Sequence, residues 1–303
     1  MTEICIMIRF TFKWRKRMKK TIEIDFIDFW PGFNKENNFF TTLLRKNYNV
    51  CISDHPNYIF VSLFGTDYLN YNAIKICFIG ENSRPNFTLY DYILGFDWVS
   101  LGDRYYRLPL YRLDNHYPML FNRLEIKQIP TTKNKFCNYI YSNANADQHR
   151  EEFFHLLNEY KQVDSGGRHL NNLGYYVGDK LAFQNDYKFT IAFENTSYPG
   201  YTTEKITDAY IANTVPIYWG NPNVVKEFNP DSFINCHDFK NFDQVIEYIK
   251  KVDSDDDLYL KMLNAPIFSP KILESLEEDA ILSFLDNIFS NDVEKARRIT
   301  KNT

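Results

Sequence analysis

The segment from residue 188 to residue 220 constrains the fold of this chain more than any other. Residues 188–195 alternate apolar and polar side chains and predict a strand, and a loop with Gly200 follows. Residues 203–212 predict a helix capped by Thr202 or Thr203, and residues 215–219 predict a second strand. Two strands joined through a helix form a βαβ unit, so we expect a parallel sheet.

Similar runs occur along the rest of the chain. In the first half, strands are predicted near residues 22–26, 49–53, 58–63 and 73–80, with a helix at 39–44. In the second half, a strand is predicted at 232–236 and helices at 241–252 and 272–288. Residues 124–136 contain Pro130 within a polar stretch and are the candidate linker. The pattern indicates two α/β units.

The start of the helix at 203–212 predicts an anion site. Free backbone N–H groups and the helix dipole favour phosphate at a helix N-terminus that follows a glycine loop. Lys205 lies in the first turn, where a cation is unfavourable unless an anion also binds there. The neighbouring Glu204 can accept hydrogen bonds from a ribose. The alternative is that both are ordinary charges on a solvated helix.

The run FENTSYPGYTTEKITDAYIANTVPIYWG, residues 193–220, resembles the donor-binding signature of glycosyltransferase family 10, the α-1,3/1,4-fucosyltransferases. It is especially similar to the bacterial branch known from Helicobacter. Shorter matches occur within residues 80–109, 142–150, 165–174 and 237–239. The resemblance therefore covers about residues 76–249 and hardly extends into the first 50 residues.

The resemblance implies an α/β fold of the GT-B architecture, in which two Rossmann-like domains face each other across a cleft. We expect a basic leader at residues 1–20, an acceptor-side domain at 21–132, a GDP-fucose-binding domain at 133–268 and a helical segment at 269–303. The heptad repeats and long basic tail of some Helicobacter relatives are absent from this sequence.

Six residues match functional positions of the family. The resemblance implies pyrophosphate contacts for Arg150 and Lys205, a ribose contact for Glu204, positions near the phosphates or the fucose for Asn195 and Tyr201, and the general base for Glu81. From the residues alone, a surface carboxylate in a turn is the favoured interpretation, although Glu81 follows an apolar strand at the end where open α/β sheets bind ligands. Arg84 stands where relatives carry an acidic residue, which leaves the identity of the acceptor open.

The implied reaction is inverting transfer of L-fucose from GDP-β-L-fucose. Attack on the anomeric carbon passes through an oxocarbenium-like state, a carboxylate takes the proton of the acceptor hydroxyl, and cations stabilise the departing GDP. One direct displacement inverts the configuration and gives an α-fucoside. By analogy, the acceptor is the GlcNAc or Glc of a galactosylated glycan such as N-acetyllactosamine or lactose, for example in bacterial lipopolysaccharide or a Lewis-type antigen.

The charge and the cysteine content indicate which partners and which cellular compartment to expect. The 35 Lys and Arg residues against 39 Asp and Glu give a formal net charge of −4, so we expect no nucleic-acid partner. Five dispersed cysteines without a Cys-x-x-Cys pair are typical of a reducing compartment, and we expect a cytoplasmic protein. Residues 1–20 are basic. Either they contact anionic lipid at the inner membrane, or Met18 is the native start.

We expect no tightly bound cofactor and no metal site, with GDP-fucose as the co-substrate. The Asp-x-Asp sequence within residues 253–257 is interpreted as a solvated turn, and the histidines lack metal-ligand spacing. Non-essential stimulation by Mn²⁺ or Mg²⁺ stays open. So do two alternatives, a GT-B enzyme for another nucleotide sugar and a silent nucleotide- or glycan-binding module. A dinucleotide oxidoreductase is disfavoured because no Gly-x-Gly-x-x-Gly follows the first strand.

Overall fold

Two parallel β-sheets form the framework of the protein. The computed structural model describes residues 19–276 and 278–299, so the predicted basic leader lies outside the described residues apart from Lys19 and Lys20. The first sheet contains β1 (Lys20–Ile27), β2 (Tyr48–Ile52), β3 (Tyr58–Val61), β4 (Ile74–Phe78), β5 (Tyr92–Gly95) and β6 (Tyr105–Arg107), in the order β2-β1-β3-β4-β5-β6. All of its strand pairs are parallel. The central strands are buried on both faces, as parallel sheets require.

The second sheet has the order β11-β10-β9-β7-β8 and is also parallel throughout. Its strands are β7 (Lys135–Tyr139), β8 (Val163–Ser165), β9 (Tyr187–Phe193), β10 (Val215–Trp219) and β11 (Ile234–Asn235). The helices of the chain are α1 (Phe39–Leu44), α2 (His149–Tyr160), α3 (Lys180–Gln184), α4 (Glu204–Ile211), α5 (Phe242–Ser254), α6 (Asp256–Asn264), α7 (Glu278–Phe289) and α8 (Val293–Ala296). No described helix combines the length and the apolar character needed to cross a membrane.

Most of the predicted elements are present. The helix predicted at 39–44 and the strand predicted at 215–219 have those bounds in the structure. The elements that were not predicted are strands β5, β6, β7 and β8 and helices α2, α3 and α6. The polar Asn138 obscures the apolar pattern of β7, but it is buried because its amide donates to the Phe189 carbonyl oxygen and to Thr190 Oγ1.

The single helix predicted at 272–288 is confirmed only for its second part. The structure has a 3₁₀ turn at Leu273–Leu276 and then α7. Ile272 and Leu276 pack with the core of the second unit, whereas Ile281 and Leu285 pack against the first sheet. The chain changes its packing partner between these positions, and the regular apolar spacing does not reveal that change.

The chain crosses between the two units more than once. The 3₁₀ turns at Leu110–Leu113 and Tyr117–Asn122 contact α4 of the second unit, and α7 returns to cover the first sheet. The domain boundaries at residues 132/133 and 268/269 stay predictions. What the contacts show is that each unit contributes side chains to the core of the other.

A buried ion pair joins the two units. Glu227 is fully buried, and its carboxylate accepts two hydrogen bonds from Arg107, at 2.8 and 3.0 Å, and one from the Tyr111 hydroxyl at 2.7 Å. Arg107 is the last residue of β6, the edge strand of the first sheet, and Glu227 follows β10. Because burial of an unpaired carboxylate is costly, this pair fixes the contact between the units.

We predict that Arg107→Leu destabilises the protein by about 3–5 kcal/mol, since it leaves the Glu227 carboxylate buried without its cation. The double variant Arg107→Leu/Glu227→Leu should regain much of this loss, because both charges are removed. Urea unfolding of the wild type and both variants measures the difference. A double variant no more stable than the single one would contradict this account of the pair.

Candidate active site

A cavity of about 250 Å³ lies at the carboxyl ends of β7 and β9, beside α3 and the start of α4. Arg150, Asn195, Glu204 and Lys205, four of the six predicted site residues, line this cavity. These residues come from α2, from the end of β9 and from the first turn of α4. The parallel sheet brings them together because the carboxyl ends of its strands share one edge.

Glu194 organises the start of α4. This residue directly follows β9 and is fully buried. Its carboxylate accepts hydrogen bonds from the Thr203 backbone N–H and hydroxyl, both at 2.7 Å, and from Lys205 Nζ at 3.1 Å. Thr203, one of the two predicted candidates, is the N-cap residue. Its hydroxyl donates to Glu194 and accepts from Lys205 Nζ at 2.8 Å, but it does not cap a backbone N–H of the helix.

The Lys205 ammonium group is held between two carboxylates. Nζ lies 3.1 Å from Glu194 Oε2 and 3.6 Å from Glu204 Oε1. Burial by itself lowers the pKa of Lys205, but Glu194 and Glu204 more than offset this and raise its pKa above the usual value. Burial also raises the pKa of Glu194, against the opposing effect of Lys205. The amine therefore stays charged at neutral pH.

Glu204 faces the cavity from the first turn of α4. Burial acts to raise the pKa of its carboxyl, but Lys205 and Lys180 lower it and prevail. Lys180, which also lines the cavity, forms a 2.6 Å ion pair with Asp208. Glu204 is therefore an ionised hydrogen-bond acceptor at the cavity wall.

Arg150 is the most unusual member of the site, because its side chain is only 1% exposed although it carries a permanent charge. One Nη donates to Asn195 Oδ1 at 3.2 Å, and the other donates to the Asn143 carbonyl oxygen. Its guanidinium lies 4.4 Å from the Tyr141 ring centroid. Within residues 19–276 and 278–299, no carboxylate forms an ion pair with it. The site thus holds a buried cation without a matching anion.

Tyr201 lies outside this cavity. Its ring is buried against Phe96 of the first unit, with ring centroids 5.2 Å apart. Burial and the charge of Glu194 raise the pKa of its hydroxyl, and Glu81 contributes in the same direction. Tyr201 therefore joins the two sides of the site, while its predicted position near the phosphates or the fucose stays a prediction.

Glu81 lies on the opposite side of the cleft, in the segment that follows β4. Its side chain is exposed, and the hydrogen bond from the neighbouring Asn82 amide to Thr196 Oγ1 places it near the loop that precedes α4. Among the described residues its carboxylate makes no hydrogen bond or ion pair. The structure therefore places the predicted base at the cleft with free acceptor oxygens, and its role stays a prediction.

The Asp-x-Asp sequence serves the fold. Asp253 pairs with Lys161 and Lys188, and Asp255 caps α6 by accepting from the Leu258 backbone N–H. Within the described part of the chain, no group of three or more His, Cys, Asp or Glu side chains is placed to hold a metal ion. The expectation that the protein has no metal site stays a prediction.

Sequence reasoning missed three residues of the site. Glu194, Lys180 and Gln184 received no role, although Lys180 and Gln184 line the cavity and Glu194 fixes Lys205. Glu194 carried a usable signal, because an acidic residue that ends a continuous apolar strand must find a buried partner. No such signal marked the two residues of the short helix α3.

Two family models match the chain. One for the alpha-(1,3)-fucosyltransferase FucT N-terminal domain covers residues 24–114, and one for glycosyltransferase family 10 (fucosyltransferase) C-term covers residues 130–265. The chain belongs to glycosyltransferase family 10. The resemblance seen in the sequence is thereby confirmed.

Individual relatives agree with this assignment. An alpha-(1,3)-fucosyltransferase FucT of Helicobacter pylori is 36% identical over 301 residues, which cover 85% of this chain and 63% of the relative. The human 4-galactosyl-N-acetylglucosaminide 3-alpha-L-fucosyltransferase 9 is 28% identical over 163 residues, 51% of this chain and 45% of the relative. The chain therefore spans less than two thirds of the length of these relatives.

Solved structures of this family share the fold. A crystal structure of an α1,3-fucosyltransferase with GDP-fucose is 31% identical, covers 96% of this chain and 94% of its own, and has a TM-score of 0.78. A second one, with GDP, is 33% identical over 92% of this chain and 93% of its own, also with a TM-score of 0.78. Together with the two parallel sheets, this likeness confirms the predicted GT-B architecture.

We predict that Glu194→Gln destabilises the protein by about 3–5 kcal/mol, because the Lys205 ammonium group loses its buried anionic partner. Glu247→Gln is the matched control, since Glu247 pairs with Lys250 on an exposed helix surface and such pairs contribute about 0.2–1 kcal/mol. Urea unfolding of both variants measures the contrast. Equal unfolding midpoints would show that the Glu194 carboxylate does not hold the site together.

Proposed function

We propose that this protein is an inverting α-1,3-fucosyltransferase. It would move L-fucose from GDP-β-L-fucose to a hydroxyl of GlcNAc or Glc in a galactosylated glycan such as N-acetyllactosamine or lactose. The observation that carries the proposal is Arg150, a buried guanidinium without a carboxylate partner among the described residues, beside the charged Lys205. Two cations at one cavity fit a pyrophosphate group.

The donor side of the proposal follows from charge. As the bond between fucose and GDP breaks, negative charge grows on the departing phosphate oxygens. Arg150 presents a rigid planar set of donors and Lys205 a compact positive charge, and both are already in place before the reaction. The ionised Glu204 supplies an acceptor for ribose hydroxyl groups. This arrangement favours departure of a nucleoside diphosphate.

The acceptor side needs a base across the cleft. Glu81 lies in the first unit with free carboxylate oxygens, and it can take the proton as the acceptor hydroxyl attacks. Asp91, another acidic residue of this region, is occupied by the backbone N–H groups of Lys75, Arg298 and Ile299. The relatives support the acceptor class, since the human one is described as acting on 4-galactosyl-N-acetylglucosaminide. The proposed setting is synthesis of a surface glycan such as lipopolysaccharide.

A nucleotide screen tests the donor. We expect GDP and GDP-fucose to raise the melting temperature without added metal, because a ligand at a hundredfold excess over its Kd stabilises by about 2.7 kcal/mol. UDP should have a much smaller effect. Addition of EDTA is the control for bound metal. A clear shift with UDP and none with millimolar GDP would remove the fucosyltransferase assignment and favour another nucleotide sugar.

We predict that Arg150→Gln lowers kcat/KM for GDP-fucose by the equivalent of about 2–4 kcal/mol, since a charged contact to the leaving group is lost. This variant is cleaner than Lys205→Ala, because Arg150 leaves no buried carboxylate unpaired, whereas Lys205 leaves Glu194. Lys205→Ala should show a loss of similar size together with a lower melting temperature. Lys250→Ala, on an exposed helix surface, is the control for a lost positive charge. Near wild-type kcat/KM in both site variants would mean that the donor binds elsewhere.

We predict that Glu81→Gln reduces kcat by about 10²–10⁴-fold, because Gln keeps the shape of the side chain but cannot accept the proton. GDP affinity should be unchanged, since Glu81 lies outside the donor cavity. A reaction that depends on a carboxylate base should slow at low pH, and the variant should lack this fall. Glu36→Gln, an exposed carboxylate of the same unit, is the control. Normal kcat with an unchanged pH profile would transfer the role of base to another group, with Asp97 the next to test.

A further inference from the structure

The segment that carries Glu81 has no regular structure of its own. Residues 79–91, between β4 and β5, contain no helix or strand. A base must nevertheless be held within hydrogen-bond reach of the attacking hydroxyl, since a misplacement of about 1 Å can cost 10²-fold in rate. Contacts outside the segment must therefore fix the position of Glu81.

Such contacts cross the cleft directly beside Glu81. The Asn82 side-chain amide donates to Thr196 Oγ1, in the loop between β9 and α4. The Arg84 guanidinium lies 3.4 Å from the Tyr198 ring centroid, in the same loop, and it also donates to Asn82 Oδ1. We call Asn82, Arg84, Thr196 and Tyr198 the cross-cleft cluster. It links the Glu81 segment to the loop that begins at the donor-site residue Asn195.

Arg84 is itself anchored on the first unit. Its Nη1 donates to Asp97 Oδ1 at 2.8 Å, and its Cζ lies 5.0 Å from the Phe96 ring centroid. Asp97 is only 7% exposed, so its ion pair with Arg84 is less screened than an exposed pair. Only a planar guanidinium can pair edge-on with a carboxylate and stack face-on over an aromatic ring at the same time. Arg84 is thus the residue that joins the two sides.

The donor loop also contacts the first unit at a point outside the cross-cleft cluster. Gly200 has φ +91, and a Cβ there would come within 2.5 Å of the Phe96 carbonyl oxygen. Its N–H donates to Asn221 Oδ1 at 2.7 Å. The loop is therefore packed directly on the first unit at Gly200, and the cross-cleft cluster adds a second contact at Thr196 and Tyr198.

We propose that Arg84 is a positioning residue for the transfer reaction. Through its stacking on Tyr198 and its hydrogen bond to Asn82, it holds Glu81 at the distance from the donor site that proton removal requires. The proposal rests on the proposed function, because it assigns Glu81 the role of base. It differs from an anion-binding role for Arg84, since Asp97 neutralises the guanidinium and Tyr198 covers its face.

Steady-state kinetics of Arg84→Met, Tyr198→Leu and the double variant test the proposal. We expect each single variant to lose roughly 10–100-fold in kcat, with the Kd for GDP unchanged. The double variant should be no slower than either single one, because the residues act as a unit. Arg84→Lys should recover only part of the rate, since it keeps the ion pair with Asp97 but not the planar stack. Arg45→Met, which removes an exposed arginine paired with Glu36, should match the wild type.

Several kinetic results would overturn the proposal. These are an unchanged kcat, additive losses in the double variant, or a higher KM for the acceptor at constant kcat, which would make Arg84 an acceptor-binding residue. If the wild type transfers fucose and Arg84→Met does so equally well, the positioning role fails while the proposed function stands.

Amide hydrogen exchange of the ligand-free protein tests the contact without any transfer activity. Arg84→Met should speed exchange both in residues 80–87 and in residues 196–198, whereas Arg45→Met should change neither. Faster exchange in residues 80–87 alone would show that Arg84 fixes only its own segment, and would overturn the proposal. A wild type that transfers no fucose but shows the two-sided change would count against the proposed function and leave the cross-cleft link in place.

Discussion

The buried carboxylate of Glu194 is the constraint on which the site depends. Glu194 directly follows β9, which lies between β10 and β7 in the second sheet. Its side chain is buried there, so water cannot solvate the carboxylate. The start of α4 must therefore supply its partners, and Thr203 and Lys205 do so. Gly220, after β10, allows this arrangement, because a Cβ there would lie 2.5 Å from Glu194 Cγ.

The buried Glu194 carboxylate explains why Lys205, a cation, occupies the first turn of α4. A positive charge in the first turn of a helix opposes the helix dipole, and Glu194 offsets that cost from outside the helix. The pair leaves Lys205 fixed at the cavity wall with Arg150 beside it. These two fixed cations and the positive end of the helix dipole then favour an anion at this edge of the sheet. The fold and the binding chemistry follow from the same buried charge.

The sequence was sufficient to predict the α/β class, most strands and four residues that meet in one cavity. It succeeded where apolar runs are continuous and where the family signature is dense, between residues 188 and 220. It failed for β7, where a satisfied polar residue interrupts the apolar pattern, and for the segment after Ile272, where the chain changes its packing partner. The role of Glu194 depends on its contact with Lys205, eleven residues further along the chain. The ion pair of Arg107 and Glu227 joins residues that are 120 positions apart. Local patterns do not encode such pairings.

The two sides of the cleft differ in how they are fixed. On the side of the proposed donor site, Arg150 lies in helix α2 and Glu194 accepts hydrogen bonds from the start of α4. Both side chains are buried, so their charges need little reorganisation during a reaction. On the other side, Glu81 is exposed and lies on an irregular segment. An exposed carboxylate keeps access to an incoming hydroxyl, but it loses the rigidity that burial provides. That rigidity has to come from residues such as Asn82 and Arg84, which reach across to the opposite unit. The contact between the two units that Arg107 and Glu227 fix therefore bears on the position of Glu81, the proposed base, as well as on stability.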